Sequence, residues 1–483
     1  MATDNHDSLG FQSDGSLFRA NDIRGLAIGE NATLSSAFAY HLGRAFGSLL
    51  AEHSLEEAWI CRDARLSSPE LQSRLVDGLL ISGIDVLDLG VGPTPLLCHA
   101  AASSPEPHAN CRSGIMITAS HNPPAENGFK IVLNNQPFYG EQLGQLQDRM
   151  TAANYSHGRG EHKHVDHQAN YIADLVHRVD NISLGSYRVV IDAANGSAGP
   201  LATRALEALG LEVIPLYCEM DGRFPNHSPD TSDPANLVDL AKKVVETESD
   251  LGIAFDGDGD RMVAVTHTGE ILGADRLMTL FSEDVLAREP GTPVVFDIKS
   301  SNELIRKIKD NGGIPVMTPS GRSLIQATMI KEKASFAGEF SCHFFFADKW
   351  YGSDDGIYAA ARLIEICHKH QLPLAELSAP TAIKYATDEI SIEVAEEHKM
   401  QMVSALVDHA KQHIKGANLV TIDGLRIEYA AGWALVRASN TGAKLTLRFE
   451  ADSPSEFERL KRTMRDLLLA VEPNLDLRKI ELA

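Results

Sequence analysis

Short apolar, β-branched runs recur along most of this chain, each followed by a polar loop and then a longer amphipathic stretch. The runs include Gly114–Thr118, Arg188–Asp192, Gly252–Asp256 and Pro293–Asp297; the helix-like stretches include Ser68–Leu80, Gly199–Leu209, Pro234–Glu248 and Asp355–His368. Strands alternating with amphipathic helices restrict the chain to an α/β architecture with mostly parallel sheets. The alternation stops near Pro380. Beyond it come a strand-like Ile390–Val394, a helix over Ala395–Lys415, and consecutive strands near 419–423, 425–429, 433–437 and 444–450. That tail reads as α+β. No sequence repeat is evident; only the strand–loop–helix theme recurs. For 483 residues, about three or four domains of roughly 100–200 residues are expected. Joints are expected in the polar segment 155–169, at the hairpin-like turn Thr266–Glu270, and in the Leu/Pro/Ala-rich passage Gln371–Pro380.

Composition narrows the function classes. The chain carries 44 Lys+Arg against 66 Asp+Glu, a net charge of −22. Nucleic-acid binding is not expected, because duplex affinity comes largely from cations on phosphates. At 43% hydrophobic residues the chain has enough apolar content for ordinary cores. No uninterrupted apolar stretch is long enough for a membrane-spanning helix, and Met1–Ser13 is polar and acidic, unlike a secretory signal. The six cysteines form no C-x-x-C pair. Neither a disulfide scaffold nor a structural zinc site is expected from them, and a cytoplasmic location is.

Four loops carry candidate chemistry. In Thr118–Lys130 a strand ends at Thr118, and Asn122-Pro123-Pro124 prevents a helix from starting. Ser120 and His121 are therefore expected on an exposed loop at a strand's carboxyl end, where ligands of open α/β sheets gather. Asn127-Gly128 reads as a second turn that returns Lys130 beside that loop. The flanks are not G-x-S-x-G, which disfavours a hydrolase elbow; the plain alternative is a polar turn. In Asp256-Gly-Asp-Gly-Asp-Arg261, three carboxylates at alternate positions follow an apolar strand. An oxygen-only set points to Mg²⁺ or Ca²⁺. An EF-hand loop wants Gly sixth and Glu twelfth, but Arg261 and His267 stand there. The alternative is an acidic, solvent-facing turn.

In Ala337–His343, Glu339 and Ser341 alternate with Phe340 and Cys342, so on an extended segment they would share a face with His343. Glu and Ser are equipment for gripping sugar hydroxyls, although an edge strand with a polar face reads the same way. In Arg437-Ala-Ser-Asn-Thr-Gly442, a guanidinium, hydroxyls at Ser439 and Thr441, and the amide of Asn440 suit an anion cradle; a plain turn is the alternative.

With the N-terminal Phe18-Arg-Ala-Asn-Asp-Ile-Arg-Gly25, these loops resemble the α-D-phosphohexomutase superfamily, most closely its bacterial phosphomannomutase/phosphoglucomutase branch. Cys61–Ser68, Asp192–Gly196, Phe224–His227 and Asp354–Gly356 add to the resemblance, which runs from about residue 16 to 475. It implies three similar α/β domains with mixed sheets plus a C-terminal α+β domain around a central cleft. The expected divisions are 1–165, 166–269, 270–382 and 383–483. It implies a phosphohexomutase that interconverts hexose 6-phosphate and hexose 1-phosphate, of mannose, glucose or both, through a 1,6-bisphosphate. Ser120 would carry the phosphoryl group and, with Asp256, Asp258 and Asp260, hold one Mg²⁺. Glu339 and Ser341 would bind sugar hydroxyls, and Arg437, Ser439, Asn440 and Thr441 the non-reacting phosphate. Arg24, Lys130, Arg261, Lys299 and His343 would line the cleft and assist charge neutralisation or proton transfer. Glucose or mannose 1,6-bisphosphate would be the activator, and hexose phosphates the only partners, with monomer and dimer both open. This branch usually has Tyr where Asn21 stands, and His where Arg322 stands; both positions face the sugar phosphate. Glu-Phe-Ser-Cys-His departs from the Glu-Gln-Ser of glucosamine enzymes, so a phosphoglucosamine mutase is the runner-up. A metal-dependent phosphatase built on the Asp cluster and a non-catalytic sugar-phosphate-binding paralogue are the competing classes.

Overall fold

The computed structural model describes residues 10–104, 108–179, 187–379, 385–440 and 442–482. Three of its four sheets share one wiring. In the first, Glu57–Arg62 lies between parallel neighbours Asp85–Val91 and Gly114–Ile117, with Glu126–Leu133 antiparallel beyond the latter. In the second, Arg188–Asp192 lies between Glu212–Leu216 and Leu251–Phe255, with Met262–Thr266 reversed beyond. In the third, Pro293–Asp297 lies between Ile314–Thr318 and Phe336–Gly338, with Phe344–Phe346 reversed beyond. In each unit the first of these four strands is therefore central, the second lies on one side, and the third and reversed fourth on the other; the first unit adds Ile23–Leu26, earlier in the chain, which pairs antiparallel with Glu126–Leu133 at the edge. Helices cover these sheets, so inner strands such as Leu251–Phe255 are buried at every position, as parallel strands packed on both faces must be.

The fourth sheet is antiparallel throughout. Lys444–Ala451 pairs with Gly432–Ala438, which continues to Leu425–Tyr429 and Asn418–Val420. Ile390–Glu393 and Tyr385–Ala386 pair along the other side of Lys444–Ala451. Helices Lys399–His413 and Pro454–Val471 pack on this sheet and share its apolar core. The molecule is thus three α/β units with mixed sheets and a C-terminal α+β unit.

One apolar core is continuous through the first three units, from Trp59 through Ile191 and Phe281 to Leu363. The helix Gly356–His370 runs through it, and nearly all its residues are buried. Its start is fixed by Asp355, which caps Tyr358 N and also accepts from Tyr171 and Trp350. The fourth unit has a core of its own. It meets the third through the small cluster Ile298, Trp433 and Leu435.

Several local expectations shift. The predicted helix over Ala395–Lys415 begins at Lys399, because Val394 N still pairs with Ala443 O and Ala395 only turns. The Pro234–Glu248 stretch opens as a tight 3₁₀ turn, Pro234–Leu237, before the α-helix Val238–Glu246. The segment 155–169 is more than a linker: His162–His164 joins the first sheet as an edge strand. The passage from Gln371 contains a short helix, Leu374–Leu377; Pro380 lies outside the described residues. All six cysteines are unpaired. Among the described residues, no helix is long and apolar enough to cross a membrane.

Candidate active site

The shared wiring delivers three loops to one place. Residues 118–125, 256–261 and 339–343 each join the third strand of their unit to the reversed fourth. They meet in a cleft of about 1160 Å³ that residues of the fourth unit also line, Arg437, Ser439 and Asn440 among them.

Ser120 is buried, not exposed as the loop position suggested. The Asp256–Arg261 loop covers it: a side chain at Gly257 would place its Cβ 2.4 Å from Ser120 O. Ser120 has a left-handed backbone, φ 54°, which a residue with a side chain adopts only when its surroundings hold it there. Thr118 Oγ1 accepts Ser120 N at 2.9 Å. Arg65, itself buried and bonded to Asp63, donates to the carbonyls of Ser120, Asn122, Pro123 and Glu126. Arg24 donates to Ala119 O and Asn122 Oδ1. So fixed, Ser120 Oγ donates to Asp256 Oδ2 at 2.6 Å. Lys130 does reach the site, but not by a turn at Asn127-Gly128. Both residues lie inside the strand Glu126–Leu133, and Lys130 arrives opposite Met116 by antiparallel pairing.

The acidic loop is fully buried, which excludes the solvent-facing turn. One oxygen from each of Asp256, Asp258 and Asp260 lies within 4.8 Å of the others. Burial, reinforced by Asp260 and Asp258, pushes the Asp256 carboxyl up to about 7. Burial also opposes charge on Asp258 and Asp260, but the Lys130 ammonium overrides it, and both carboxyls sit below their usual range. Lys130 Nζ bridges them, 2.6 Å from Asp258 Oδ2 and hydrogen-bonded to Asp260 Oδ2. Thr94 Oγ1 donates to the same Asp258 oxygen, while Asp258 Oδ1 is buried with no partner. An all-oxygen donor set with an orphaned carboxylate oxygen fits a hard divalent cation.

The third loop is a tight turn rather than an edge strand. Cys342 N returns to Glu339 O, Glu339 N pairs with His343 O, and Cys342 has φ 67°. The expected grouping is met by folding instead: His343 Nδ1 lies 2.8 Å from Glu339 Oε2 and 3.1 Å from Ser341 Oγ. Nε2 lies 3.2 Å from Asp260 Oδ1, with Arg261 Nε also beside it. Burial would lower the imidazole's pKa, but Asp260 and Glu339 outweigh it and raise it to about 9. That direction favours the protonated ring at neutral pH.

On the facing wall, Lys299 Nζ pairs with Glu389 at 2.6 Å and with Asp297 at 3.6 Å. Arg322 is bound bidentately by Asp354, with Asp260 at 3.7 Å and Cys98 Sγ at 3.7 Å. Asn21 packs on the turn before Arg322: Gly321 has φ 143°, and a Cβ there would lie 2.9 Å from Asn21 Oδ1. That oxygen is buried with no partner. Arg437 Nε donates to Asp423 Oδ2 at 2.8 Å, whereas its buried Nη2 has none. Asn440 Nδ2 donates to Ser320 O across the joint between units, and Lys399 holds Ser439 O. Thr441 lies outside the described residues. The joint rests on arginines: Arg426 donates to Ile298 O and Ser300 O, and Arg448 donates to Lys299 O and Asp275.

Residue patterns pointed to most of these groups but not to Arg65, Thr94, Glu389 or Asp423. Arg65 lies in Cys61–Ser68, whose resemblance was the one available signal.

Comparison with known proteins settles the family. Four profiles match in order: Phosphoglucomutase/phosphomannomutase, alpha/beta/alpha domain I over residues 15–156, domain II over 169–269, domain III over 273–385, and the C-terminal domain over 389–467. The chain belongs to the phosphoglucomutase/phosphomannomutase family. It is similar to a Pseudomonas aeruginosa protein named phosphomannomutase/phosphoglucomutase, at 45% identity over 460 residues, covering 95% of this chain and 97% of that one. It is also similar to a Neisseria gonorrhoeae phosphoglucomutase, at 41% over 462 residues, covering 94% and 96%. A crystal structure of a phosphoglucomutase/phosphomannomutase family protein from Burkholderia thailandensis superposes with a TM-score of 0.89 at 40% identity, covering 96% of this chain and 99% of that one. This family member is an enzyme, a phosphohexomutase of the isomerase class.

Proposed function

We propose that this phosphohexomutase interconverts the 6- and 1-phosphates of mannose and glucose through a phosphoserine at Ser120 and a hexose 1,6-bisphosphate. The observation that carries this reading is the Ser120 hydroxyl, held on Asp256 at 2.6 Å in the same cleft as an Arg437 guanidinium with an unused N–H. In the first half-reaction the P–Oγ bond of phosphoserine breaks and a P–O bond forms to the free sugar hydroxyl. The sugar hydroxyl's proton is passed, through titratable groups of the cleft, to the released Ser120 Oγ, which ends as the free alcohol. The bisphosphate then turns end over end, and the exchange runs in reverse with its other phosphoryl group. The cleft supports this: its volume exceeds the ~300–1,000 Å³ usual for a small-molecule pocket, which leaves room for the turn.

Asp256, Asp258 and Asp260, with the Ser120 oxygen, would hold one Mg²⁺, which when bound neutralises charge on the transferring group. Lys130, Arg24, Arg261 and the His343 imidazolium supply fixed positive charge where charge develops. Glu339 and Ser341, both on His343, take the sugar 3- and 4-hydroxyls. Arg437, Ser439 and Asn440, with Thr441 beside them, take the non-reacting phosphate, while Lys299, Arg322 and Asn21 face the sugar phosphate. Glucose or mannose 1,6-bisphosphate serves as activator, because it re-phosphorylates Ser120 when an intermediate escapes. Intact-mass spectrometry of the enzyme after bisphosphate treatment is expected to find one phosphoryl adduct that maps to Ser120. Normal turnover with no adduct ever trapped on Ser120 would overturn the proposal.

A further inference from the structure

The histidine-rich segment between the first and second units takes no part in the cleft. Its edge strand His162–His164 runs parallel to Asp85–Val91, with His164 opposite Asp88 and His162 opposite Val86. Strand alternation puts both imidazoles and Asp88 on one face of the sheet. His162 Nε2 lies 3.0 Å and His164 Nδ1 3.3 Å from the same atom, Asp88 Oδ2. One ligand atom from each residue lies within 4.8 Å of the other two, and the ring centroids are 4.9 Å apart. Asp88 is buried at 5% exposure. Its other oxygen, Oδ1, is occupied by Gln72 Nε2 at 2.7 Å and Gly90 N at 2.8 Å. Those bonds fix the carboxylate and leave Oδ2 aimed at the two rings.

We propose that Asp88, His162 and His164 form a site for a borderline-soft divalent transition metal of the zinc class, at the edge of the first sheet. Two imidazole nitrogens and one carboxylate oxygen are a donor set these ions accept, whereas Mg²⁺ favours oxygen ligands. The spacing also fits. With metal–ligand bonds of about 2.0–2.2 Å, neighbouring ligands on a tetrahedron or octahedron stand roughly 2.8–3.6 Å apart, which brackets both observed separations. Gln72 and Gly90 supply the outer hydrogen bonds that orient a ligating carboxylate. The exposed side of both histidines leaves the remaining coordination positions to water. The expectation of no structural zinc rested on cysteines, and this donor set contains none. A bound ion would staple the edge strand to Asp88 and so fix the start of the connection into the second unit.

The test uses tag-free enzyme with Mg²⁺ saturating the cleft and Zn²⁺ as the probe, read by chelator competition and by X-ray absorption at the zinc edge. One equivalent of zinc is expected, in a shell with two imidazoles. His164→Ala removes a side chain that is 78% exposed, so the fold and the mutase rate are expected unchanged while zinc affinity falls more than tenfold. Gln72→Leu, which leaves all three ligands in place, is expected to weaken zinc by about 10–100-fold. Zinc that binds His162→Ala and His164→Ala as tightly as wild type, zinc displaced by Mg²⁺, or no binding below millimolar zinc would each overturn the proposal.

Discussion

At one end of the cleft the Ser120 and Asp256–Arg261 loops are sealed. Their carboxylates are buried, Lys130 already bridges two of them, and Arg65 pins the serine loop by its carbonyls. At the other end Arg437, Ser439 and Asn440 stand on a separate sheet with its own core, and Arg437 keeps one N–H unpaired. Under the proposed mechanism each end takes one phosphate of the sugar, and the turn of the bisphosphate exchanges them. The difference teaches how the work is divided. The transferring end needs charges that do not reorganise as the phosphoryl group moves, so it is built into the continuous core of three units. The holding end must also release, and it stands on a unit whose apolar contact with the third is small and whose joint is otherwise made of polar bonds, the kind of joint between units for which relative motion is the default expectation.

The contrast can be broken at either end. Ser120→Ala should have the largest effect, lowering turnover by several orders of magnitude even with bisphosphate saturating, because the covalent relay is gone. Its circular dichroism should remain that of wild type. Turnover close to wild type would remove the distinction between a transferring and a holding end. Chelation comes next: excess EDTA should abolish activity, Mg²⁺ should restore it, and Ca²⁺ should do so poorly, since it tolerates looser geometry than Mg²⁺. Full activity in chelator would dissociate the acidic cluster from catalysis.

A smaller effect is expected from pH in the metal-free protein. The folded pKa of His343, about 9, lies above its ordinary 6.5. Its contribution to stability is therefore complete below about 6.5 and is lost as pH rises through 9, on the order of 3 kcal/mol in all. Thermal midpoints from pH 6 to 10 should fall in wild type and much less in His343→Gln; parallel curves would mean the imidazolium is not held by Asp260 and Glu339. The smallest change should be Arg437→Ala at the holding end. Losing a charged donor to phosphate costs about 1.5–3 kcal/mol, or roughly 10–150-fold in binding, and bisphosphate should leak during turnover. Leakage and affinity equal to wild type would show that the open end does no holding.

Much of this arrangement was legible before the fold was known, because the four loops are contiguous strings whose residue types carry chemistry. What stayed hidden acts across long separations. Arg65 reaches Ser120 and Glu126 through main-chain carbonyls, which no side-chain pattern announces. Thr94 completes the acidic cluster from a different unit. Lys130 was placed correctly for the wrong reason, because Asn-Gly reads locally as a turn and tertiary pairing made it strand. Gly128 is needed there for space, since a Cβ would lie 2.2 Å from Ile23 O. Asn21, one of the two departures from the branch pattern, proved to pack on Gly321, the residue before the other departure, Arg322. That packing could not be inferred from positions three hundred residues apart.

The joint with the fourth unit has a mechanical consequence. Arg448 grips the carbonyl of Lys299, the same residue whose ammonium enters the cleft beside Glu389. The flanking carbonyls of Ile298 and Ser300 are gripped by Arg426. A hand that swung the cradle outward with those bonds intact would tow the backbone under that ammonium. If those bonds hold while the fourth unit swings, widening the cleft and withdrawing its charge would be geared to one axle, and amide exchange at residues 298–301 is the gauge that would register its turning.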